Sequence, residues 1–402
     1  MIGDENPGRG FDGGARSGPE KGAPQVRGEA PSATVFNGSP NDGWFSGHCV
    51  CENCRAWDHS DGEPRRMHWK DASEVRPALS DRHVTFANHL ARLLKERYPD
   101  KGYYVQMMAY GHARPAPIKA RPAENVIMSS VANFYGRTNL VDRGSTWGTT
   151  HREQLKAWGR LAHHVMWRPN TGSPGGWQQG LPDLSIHQTI EDIKFAAENH
   201  CLGIYIDSVW EHWATQGPQY YVMAQLLWDP SMDGEAILDD YYRRAFGPAA
   251  GPVRAYFETI ERARMAYVDK YGYGSGAFNL PRLFTTGLLQ QASAHLRAAA
   301  EKAAGGPEIY RSQVRFVRAG LTFTERVIEN LKMMEVYWRK RNETLAAEVR
   351  ANWAVMERLC QKHPYAINWG PVRPKTPRML GQHPDHPNPR WKPSLVEDLD
   401  RN

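Results

Sequence analysis

Residues 103–110 read YYVQMMAY, and this stretch decides the fold. A continuous apolar run of this length, rich in aromatic residues, is typical of a buried strand. Short runs of similar character occur before and after it, and helix-like stretches separate most of them. We expect five strands to lie side by side and parallel in one sheet, because apolar strands that alternate with helices form covered parallel sheets. These strands are predicted at residues 34–37, 103–110, 125–131, 163–167 and 202–206.

Apolar residues spaced three or four apart predict the helices. Between the strands, helices are expected near residues 81–97, 150–162 and 185–199, the first of them capped by Ser80. A polar loop is expected between the first strand and this cap. After Pro230 no stretch has strand character. The remaining helices are predicted near residues 234–245, 250–270, 282–304, 309–341 and 343–361.

This pattern predicts an α/β protein with two folded parts. Residues 34–230 are interpreted as the C-terminal part of a (β/α)8 TIM-type barrel, and residues 231–362 as an all-α helical domain. Residues 1–33 are rich in Gly and Pro and low in hydrophobicity, so we expect them to be disordered. Residues 363–402 are studded with Pro, which predicts an extended tail.

The composition excludes some function classes. The net charge of +6 is spread along the chain without a run of basic residues, so nucleic-acid binding is not expected. No stretch approaches the ~18 apolar residues of a membrane span. The N-terminus lacks the apolar core of a signal peptide, which taken literally indicates a cytoplasmic protein. The 14 Trp residues are compatible with sugar binding, because their rings form flat platforms as well as cores. The oligomeric state stays open.

The loop after the first predicted strand, residues 39–44, reads SPNDGW. In β/α barrels, catalytic residues lie on loops at the carboxyl ends of strands. Asp42 at such a position could protonate a leaving glycosidic oxygen, while Asn41 orients a neighbouring group of the substrate. The alternative interpretation is a plain turn, since Pro-Asn-Asp-Gly is favourable turn chemistry.

A second cluster follows the last predicted strand at residues 206–213, IDSVWEHW. Its acids Asp207 and Glu211 and its aromatic residues Trp210 and Trp213 suit a sugar subsite, where rings stack and carboxylates bind hydroxyls or transfer protons. Alternatively, Asp207 caps the next helix and the Trp residues pack between domains.

The other strand ends also carry polar and aromatic residues. Each of these is weak alone, but their recurrence after successive strands indicates one aromatic and polar rim that binds carbohydrate. The candidate substrate-binding residues here are Tyr110, His112, Asn133 and Trp167.

Cys49, Cys51 and Cys54 crowd into one loop. A Cys-x-x-Cys pair converges on one ion, so a structural zinc is possible here, with a nearby His as fourth ligand. A loop disulfide and plain thiols remain alternatives. Five Cys in total, an odd and sparse set, argue against a scaffold held by disulfides.

Several motifs occur in the order of a known family. They are NGSPNDG at residues 37–43, the Cys-x-Cys-x-x-Cys loop, SDR at 80–82, and the stretches 221–230 and 241–250. In these the chain resembles the domain of unknown function 4838 family, whose members accompany bacterial polysaccharide-degradation systems, over about residues 34–340.

The resemblance implies similarity to glycosidase barrels of the hexosaminidase and α-glucuronidase type. It also implies an Asn-Asp pair on a mid-barrel strand, a secreted or periplasmic setting and no required cofactor. Members of the family carry early barrel strands upstream of this region. Here residues 1–33 stand in their place, so a chain truncated at its N-terminus is expected.

Three functions compete on this basis. The first is a glycoside hydrolase, in which Asp42 is the general acid, Asn41 positions the substrate and Asp207 or Glu211 supplies the second carboxylate. The second is a non-catalytic carbohydrate-binding protein that keeps the aromatic rim. The third is an interaction module stabilised by zinc at the Cys loop.

Overall fold

The structure is a computed structural model. It describes residues 34–39, 48–67, 73–131, 146–169, 180–206, 209, 211–271, 280–340, 342–373 and 384. The segment predicted to be disordered, residues 1–33, lies outside the described residues, as does most of the predicted tail.

The central element is a parallel sheet of five strands, as predicted. Its five strands lie side by side in the order in which they occur along the chain, and every neighbouring pair is parallel. Each strand lies within one or two residues of its predicted position. The strands are β1 (Val35–Asn37), β4 (Tyr104–Ala109), β5 (Val126–Ser130), β6 (His164–Trp167) and β7 (Cys201–Ile204).

The order of these strands places the helices on one face of the sheet. Successive strands are neighbours, so each crossover steps in the same direction, and right-handed crossovers then put every connecting helix on the same side. Helix α2 (Ser80–Arg97) packs against β4 and β5, α3 (Thr146–Leu161) against β5 and β6, and α4 (Ile186–Glu198) against β7. The protein is therefore a mixed α/β structure with a singly wound sheet.

The two faces of the sheet differ in burial. On β4, Val105, Met107 and Ala109 are buried and share a core with α2, whereas the alternate residues are only half-buried. On that second face, Gln106 donates a hydrogen bond to Ser129 Oγ (2.6 Å). This face is more open and more polar than the face covered by the helices.

The loop that we expected between β1 and α2 contains secondary structure. A short helix α1 (Glu52–Arg55) is followed by an antiparallel hairpin of β2 (Pro64–Arg66) and β3 (Val75–Pro77). The hairpin strands are charged and carry no apolar alternation, so no periodic pattern reveals them. Ser80 does not cap α2 but is its first residue, and its hydroxyl donates to the Pro115 carbonyl (2.5 Å).

The rest of the described chain is helical. This was predicted for the chain after Pro230 as far as residue 361, whereas the helices Trp213–Trp228 and Trp369–Val372 are not among the predicted ones. The helix expected over residues 282–304 is two helices, because Thr285 caps a new helix by accepting a hydrogen bond from the Leu288 N–H (3.2 Å). The helices are α5 (Trp213–Trp228), α6 (Gly234–Phe246), α7 (Ala250–Tyr271), α8 (Leu280–Leu283), α9 (Thr286–Ala303), α10 (Glu308–Lys340), α11 (Glu343–Lys362) and α12 (Trp369–Val372).

The first part of the predicted tail is folded rather than extended. Ala366, Ile367 and Val372 are buried, and the Ala366 carbonyl accepts a hydrogen bond from the Ala214 N–H (3.1 Å). The prolines alone predict an extended chain here, but these three apolar side chains pack into the hydrophobic core.

One continuous apolar core runs through the sheet, its helices and the C-terminal helices. A buried ion pair joins the two parts, since Arg264 Nε of α7 donates to Asp183 Oδ1 just before α4 (3.0 Å). None of the described helices is long and apolar enough to cross a membrane.

Candidate functional site

Side chains suited to chemistry concentrate on the rim, which we define as the loops at the carboxyl ends of β1, β4, β5, β6 and β7. In parallel α/β sheets this edge is where binding and catalytic residues lie. The loop after β1 is fastened where it begins, because Ser39 Oγ accepts a hydrogen bond from the Met108 N–H of β4 (3.0 Å). Ser39, the last described residue before Asn41 and Asp42 in the sequence, therefore lies at the rim.

The same loop is fastened again where it re-enters the described structure. The Cys49 carbonyl accepts a hydrogen bond from Arg82 Nη1 (2.7 Å), and Arg82 Nε donates to Asp58 Oδ1 (2.8 Å). Arg82 is buried and forms an ion pair with Asp58. The segment 48–58 is thus held against the first turn of α2.

Three consecutive residues at the start of α2 organise this part of the rim. Ser80 binds the Pro115 carbonyl, and Arg82 binds the segment 48–58. Asp81 is buried, and its carboxylate accepts hydrogen bonds of 2.7–2.9 Å from three successive backbone N–H groups. These donors are Ile118, Lys119 and Ala120.

Three imidazole rings lie close together where residue 48, the turn after β4 and helix α2 meet. The His48 ring lies 5.3 Å from that of His112, in the turn after β4, and 6.2 Å from that of His83 on α2. Burial lowers the pKa of His83 to about 4, helped by the charges of neighbouring groups, and burial and Arg82 lower the pKa of His48. His48 and His83 are therefore neutral at pH 7 and can both donate and accept hydrogen bonds.

A second basic pair lies deeper, between the β4 loop and α3. Arg114 Nη1 lies 3.1 Å from His151 Nε2, and both residues are buried. Burial, with Arg65 nearby, lowers the pKa of Arg114 to about 10, and burial with Arg114 lowers that of His151 to about 3. The Trp158 indole N–H fixes this loop by donating to the Arg114 carbonyl (2.9 Å). The rim thus holds a buried cation beside a neutral imidazole.

At the far edge of the sheet, β7 leads into a short loop and then α5. Glu211 is exposed and has a φ of 59°, in the left-handed region. His212 is buried, and its Nδ1 accepts a hydrogen bond from the Asn368 N–H (3.2 Å). Arg168 lies 5.7 Å from the Tyr205 ring centroid, which links the loops after β6 and β7.

The structure describes part of the predicted site. His112 is buried and Tyr110 is half-buried, both directly after β4. Trp167 is only 2 % exposed, so its ring packs in the core instead of offering a face to a sugar. Trp213 is 43 % exposed at the start of α5. The remaining candidates lie outside the described residues, namely Asn41, Asp42, Asn133, Asp207 and Trp210.

The Cys loop brings its three thiols together. The sulfur atoms of Cys49, Cys51 and Cys54 all lie within 4.8 Å of one another, with 3.4 Å between Cys49 Sγ and Cys51 Sγ. The Cys54 backbone N–H and the Cys49 thiol lower the pKa of Cys51 to about 7, and interaction with the other two sulfurs raises that of Cys54 to about 11. This cluster could bind a metal ion; no further His, Cys, Asp or Glu among the described residues joins it.

Comparison with known families adds a further observation. Residues 25–259 match the family described as Domain of unknown function (DUF4838), which is more than half of the chain. The chain belongs to this family. The match spans all the strands, the Cys loop and the helices up to α6, together with part of α7, and it confirms the resemblance seen in the sequence. It ends at residue 259, short of the predicted residue 340.

No curated protein and no solved structure matches the chain.

The sequence singles out His48 only as one of the histidines near the Cys loop, and His83, Arg114 and His151 are not among the predicted site residues. Each is an unremarkable residue in its own stretch, and their contacts join distant positions such as 114 and 151. The sequence identifies the SDR stretch only as a family motif, and its position in the first turn of an amphipathic helix, α2, is the signal that it can anchor loops.

Proposed function

We propose that this protein is a glycoside hydrolase-like member of the DUF4838 family that acts on a polysaccharide or an amino-sugar glycan by general acid/base hydrolysis. The observation that carries the proposal is that both ends of the loop bearing Asn41 and Asp42 are held at the rim. Ser39 is bonded to β4 of the parallel sheet, and Cys49 is bonded to the first turn of α2. Catalytic groups need rigidly held ends of this kind to keep a productive geometry.

The sheet also favours the barrel interpretation. Five parallel strands in consecutive order, with the connecting helices on one face, are arranged like successive β/α units of a (β/α)8 barrel. We propose that they form the C-terminal part of such a barrel. Helix α5 follows β7 and packs against α4, as the next helix of such a ring would. The face away from the helices then corresponds to the barrel interior.

In the proposed mechanism Asp42 is the general acid and protonates the leaving glycosidic oxygen. Asn41 positions the substrate, and Asp207 or Glu211 supplies the second carboxylate. In substrate-assisted hydrolysis a group of the substrate takes the place of the second carboxylate. Asn41, which positions that group, would then matter more than Asp207 or Glu211.

The distance between the two acidic loops sets a geometric requirement. Four strand spacings separate β1 from β7, roughly 19 Å in a flat sheet. Glycosidase carboxylates lie about 5–10 Å apart, so the sheet has to curve around the substrate. Such curvature is supported by Tyr104 and His164, whose rings meet 5.3 Å apart across β5 on the open face.

The test is Asp42→Asn, with Asp61→Asn as the control in an exposed carboxylate. Loss of the general acid should lower turnover about 10²- to 10⁴-fold, while the control keeps its activity. The measurement is release of reducing ends from a panel of polysaccharides and amino-sugar glycans. An Asp42→Asn protein as active as the wild type removes Asp42 from the mechanism. Binding of a glycan without turnover would instead favour the carbohydrate-binding protein.

The convergence of three thiols supports a second proposal, that the Cys loop holds a structural zinc ion. Thiolates are soft ligands that favour zinc, and zinc binding would deprotonate all three. Cys49, Cys51 and Cys54 would hold the ion, and it would stabilise the segment that Arg82 binds.

Metal analysis of the purified protein tests this proposal. We expect about one equivalent of zinc per chain, lost in Cys51→Ser and retained in the control Cys201→Ser, which is distant from the loop in sequence. A zinc content below about a tenth of an equivalent, with a melting temperature unchanged by chelator, leaves the cysteines as plain thiols.

A further inference from the structure

A groove lies between α5, α6, α10 and the stretch that follows α11. Its volume is about 570 Å³, within the range of roughly 300–1,000 Å³ that is usual for ligand sites. Aromatic side chains form much of its lining. They include Trp213, Tyr241, Phe316 and Tyr365.

Two of these aromatic side chains are exposed to solvent. Tyr365 is 72 % exposed and Trp213 is 43 % exposed, although large aromatic side chains are normally buried. The Trp213 ring is held by an edge-to-face contact with Tyr220, at 5.1 Å between centroids. At least one platform is therefore fixed in orientation before any ligand arrives, which lowers the entropic cost of binding.

The polar lining of the groove is neutral or basic. Gln313 and His363 contribute to it, and their side chains make no hydrogen bond with the residues that the structure describes. Burial, together with Lys362 and Arg315, lowers the pKa of His363, so its ring is neutral at pH 7 and offers one donor and one acceptor. Among the described lining residues there is no carboxylate and there is one cation, Arg315, so the groove favours neutral or anionic ligands over cationic ones.

Flat rings beside neutral donors and acceptors match a pyranose. A sugar ring presents a face of C–H groups that stacks on an aromatic ring, and hydroxyls at its edge that both donate and accept hydrogen bonds. The amide of Gln313 and the imidazole of His363 have this double capacity.

The groove also adjoins the rim. Trp213 is the first residue of α5 and comes directly after the rim residues Glu211 and His212. Through Trp213, the groove therefore begins at the helix that follows the loop after β7.

We propose that the groove is a second carbohydrate subsite, which holds one or two pyranose rings of a glycan whose other end lies at the rim. The inference rests on the proposed action on glycans and goes beyond it by extending the bound substrate past the rim. With this subsite the protein binds glycan chains of several sugars and not only a single terminal sugar.

The test uses calorimetric titration of the whole chain carrying Asp42→Asn, so that a bound probe is not hydrolysed. Three tetrasaccharides serve as probes: chitotetraose for amino sugars, cellotetraose for neutral hexoses and tetragalacturonate for acidic sugars. Tyr365→Ala and Gln313→Ala are the test variants. Trp228→Ala is the matched control, because Trp228 is 90 % exposed at the opposite end of α5.

We expect at least one probe to bind, and each test variant to weaken that binding roughly 3- to 10-fold, the effect of losing one aromatic or hydrogen-bond contact. The control should bind as before. Urea unfolding of each variant shows whether a loss of affinity comes from loss of folding, and Tyr365 is exposed enough that its removal should cost little stability.

Two results would overturn the subsite: no probe binds, or both test variants bind as tightly as the control. These results are separate from failure of the proposed hydrolysis. A protein that binds a tetrasaccharide through Tyr365 and Gln313, but whose wild type releases no sugar, keeps the subsite and loses the catalytic proposal. If the wild type hydrolyses glycans but Tyr365→Ala binds them with unchanged affinity, the catalytic proposal stands and the subsite proposal fails.

Discussion

The rim and the helical region bury different kinds of side chain. By helical region we mean α6 to α12, residues 234–372. At the rim, His112, Arg114 and His151 are buried together around loops. In the helical region, helices α7 and α10 bury aliphatic and aromatic side chains such as Tyr256 and Phe323.

Where the helical region does bury charge, it meets the sheet region. Among its described residues the buried charged side chains are Glu261 and Arg264, both on α7. Arg264 binds Asp183. The Glu261 carboxylate accepts a hydrogen bond from the His187 backbone N–H (2.9 Å) and lies 2.8 Å from His187 Nδ1. Buried charge is therefore used in two ways in this molecule, to place loops at the rim and to dock one region on the other.

The largest effect should come from breaking this docking contact. The side chains of Arg264 and Asp183 are 0 % and 2 % exposed, so Arg264→Met removes a buried positive charge that lies 3.0 Å from a buried carboxylate. We expect a loss of about 3–5 kcal/mol in the free energy of unfolding, measured with urea. Arg243→Met is the control, since Arg243 pairs with Asp240 on the surface and should cost less than about 1 kcal/mol. Equal losses in the two variants would refute the comparison.

A smaller effect should come from the uncharged contact between α10 and α5. A Cβ atom on Gly320 would lie 2.9 Å from both Ala214 Cβ and Thr215 Cγ2, closer than side chains tolerate. Gly320→Ala should therefore destabilise the protein by about 1–3 kcal/mol through overpacking, despite the better helix propensity of Ala. Gly251→Ala is the matched control, because no atom lies within 4 Å of its added Cβ. If both variants are as stable as the wild type, close packing does not specify this contact.

The smallest effect concerns pH. The hydrogen bond to Glu261 raises the pKa of His187 above its ordinary value of 6.5, so protonated His187 stabilises the folded state. This stability is fully present below the unfolded pKa and is lost as pH rises through the higher folded pKa. The stability difference between wild type and His187→Gln should be largest below pH 6.5, the ordinary pKa of His, and should shrink as the pH rises above it. Glu261→Gln should flatten the same dependence, and pH profiles parallel to the wild type would contradict the assignment.

The sequence predicts the sheet well and the rim poorly. Strands such as β4 and β5 are apolar runs because they are buried in the sheet. The run is present in the local sequence whichever strands lie next to it, so the position of each strand can be predicted without knowing its neighbours. The hairpin of β2 and β3 lacks any such pattern. At the rim, His112 was predicted from its place after a strand, but the contact of Arg114 with His151 depends on how α3 packs. Local sequence contains no trace of that packing.

Helix α5 shows a different limit. It contains Gly217 and Pro218, and residues on most of its sides are buried, so neither propensity nor a one-sided apolar stripe marks it. The residues after α11 were expected to be extended because of their Pro content. Their burial depends on a surface formed by α5 and α10, which no local rule describes.

The triplet of Ser80, Asp81 and Arg82 has a consequence for how this rim can diversify. It holds the neighbouring loops at a few points, Pro115, residues 118–120 and Cys49. The chain between such points is free of their constraint, and doubling the length of a loop costs only about 0.6 kcal/mol in closure entropy. An insertion within residues 43–47 would therefore keep Asn41 and Asp42 and leave the hydrogen bonds of Ser39 and Cys49 in place, so the length of this loop can change at little cost in stability.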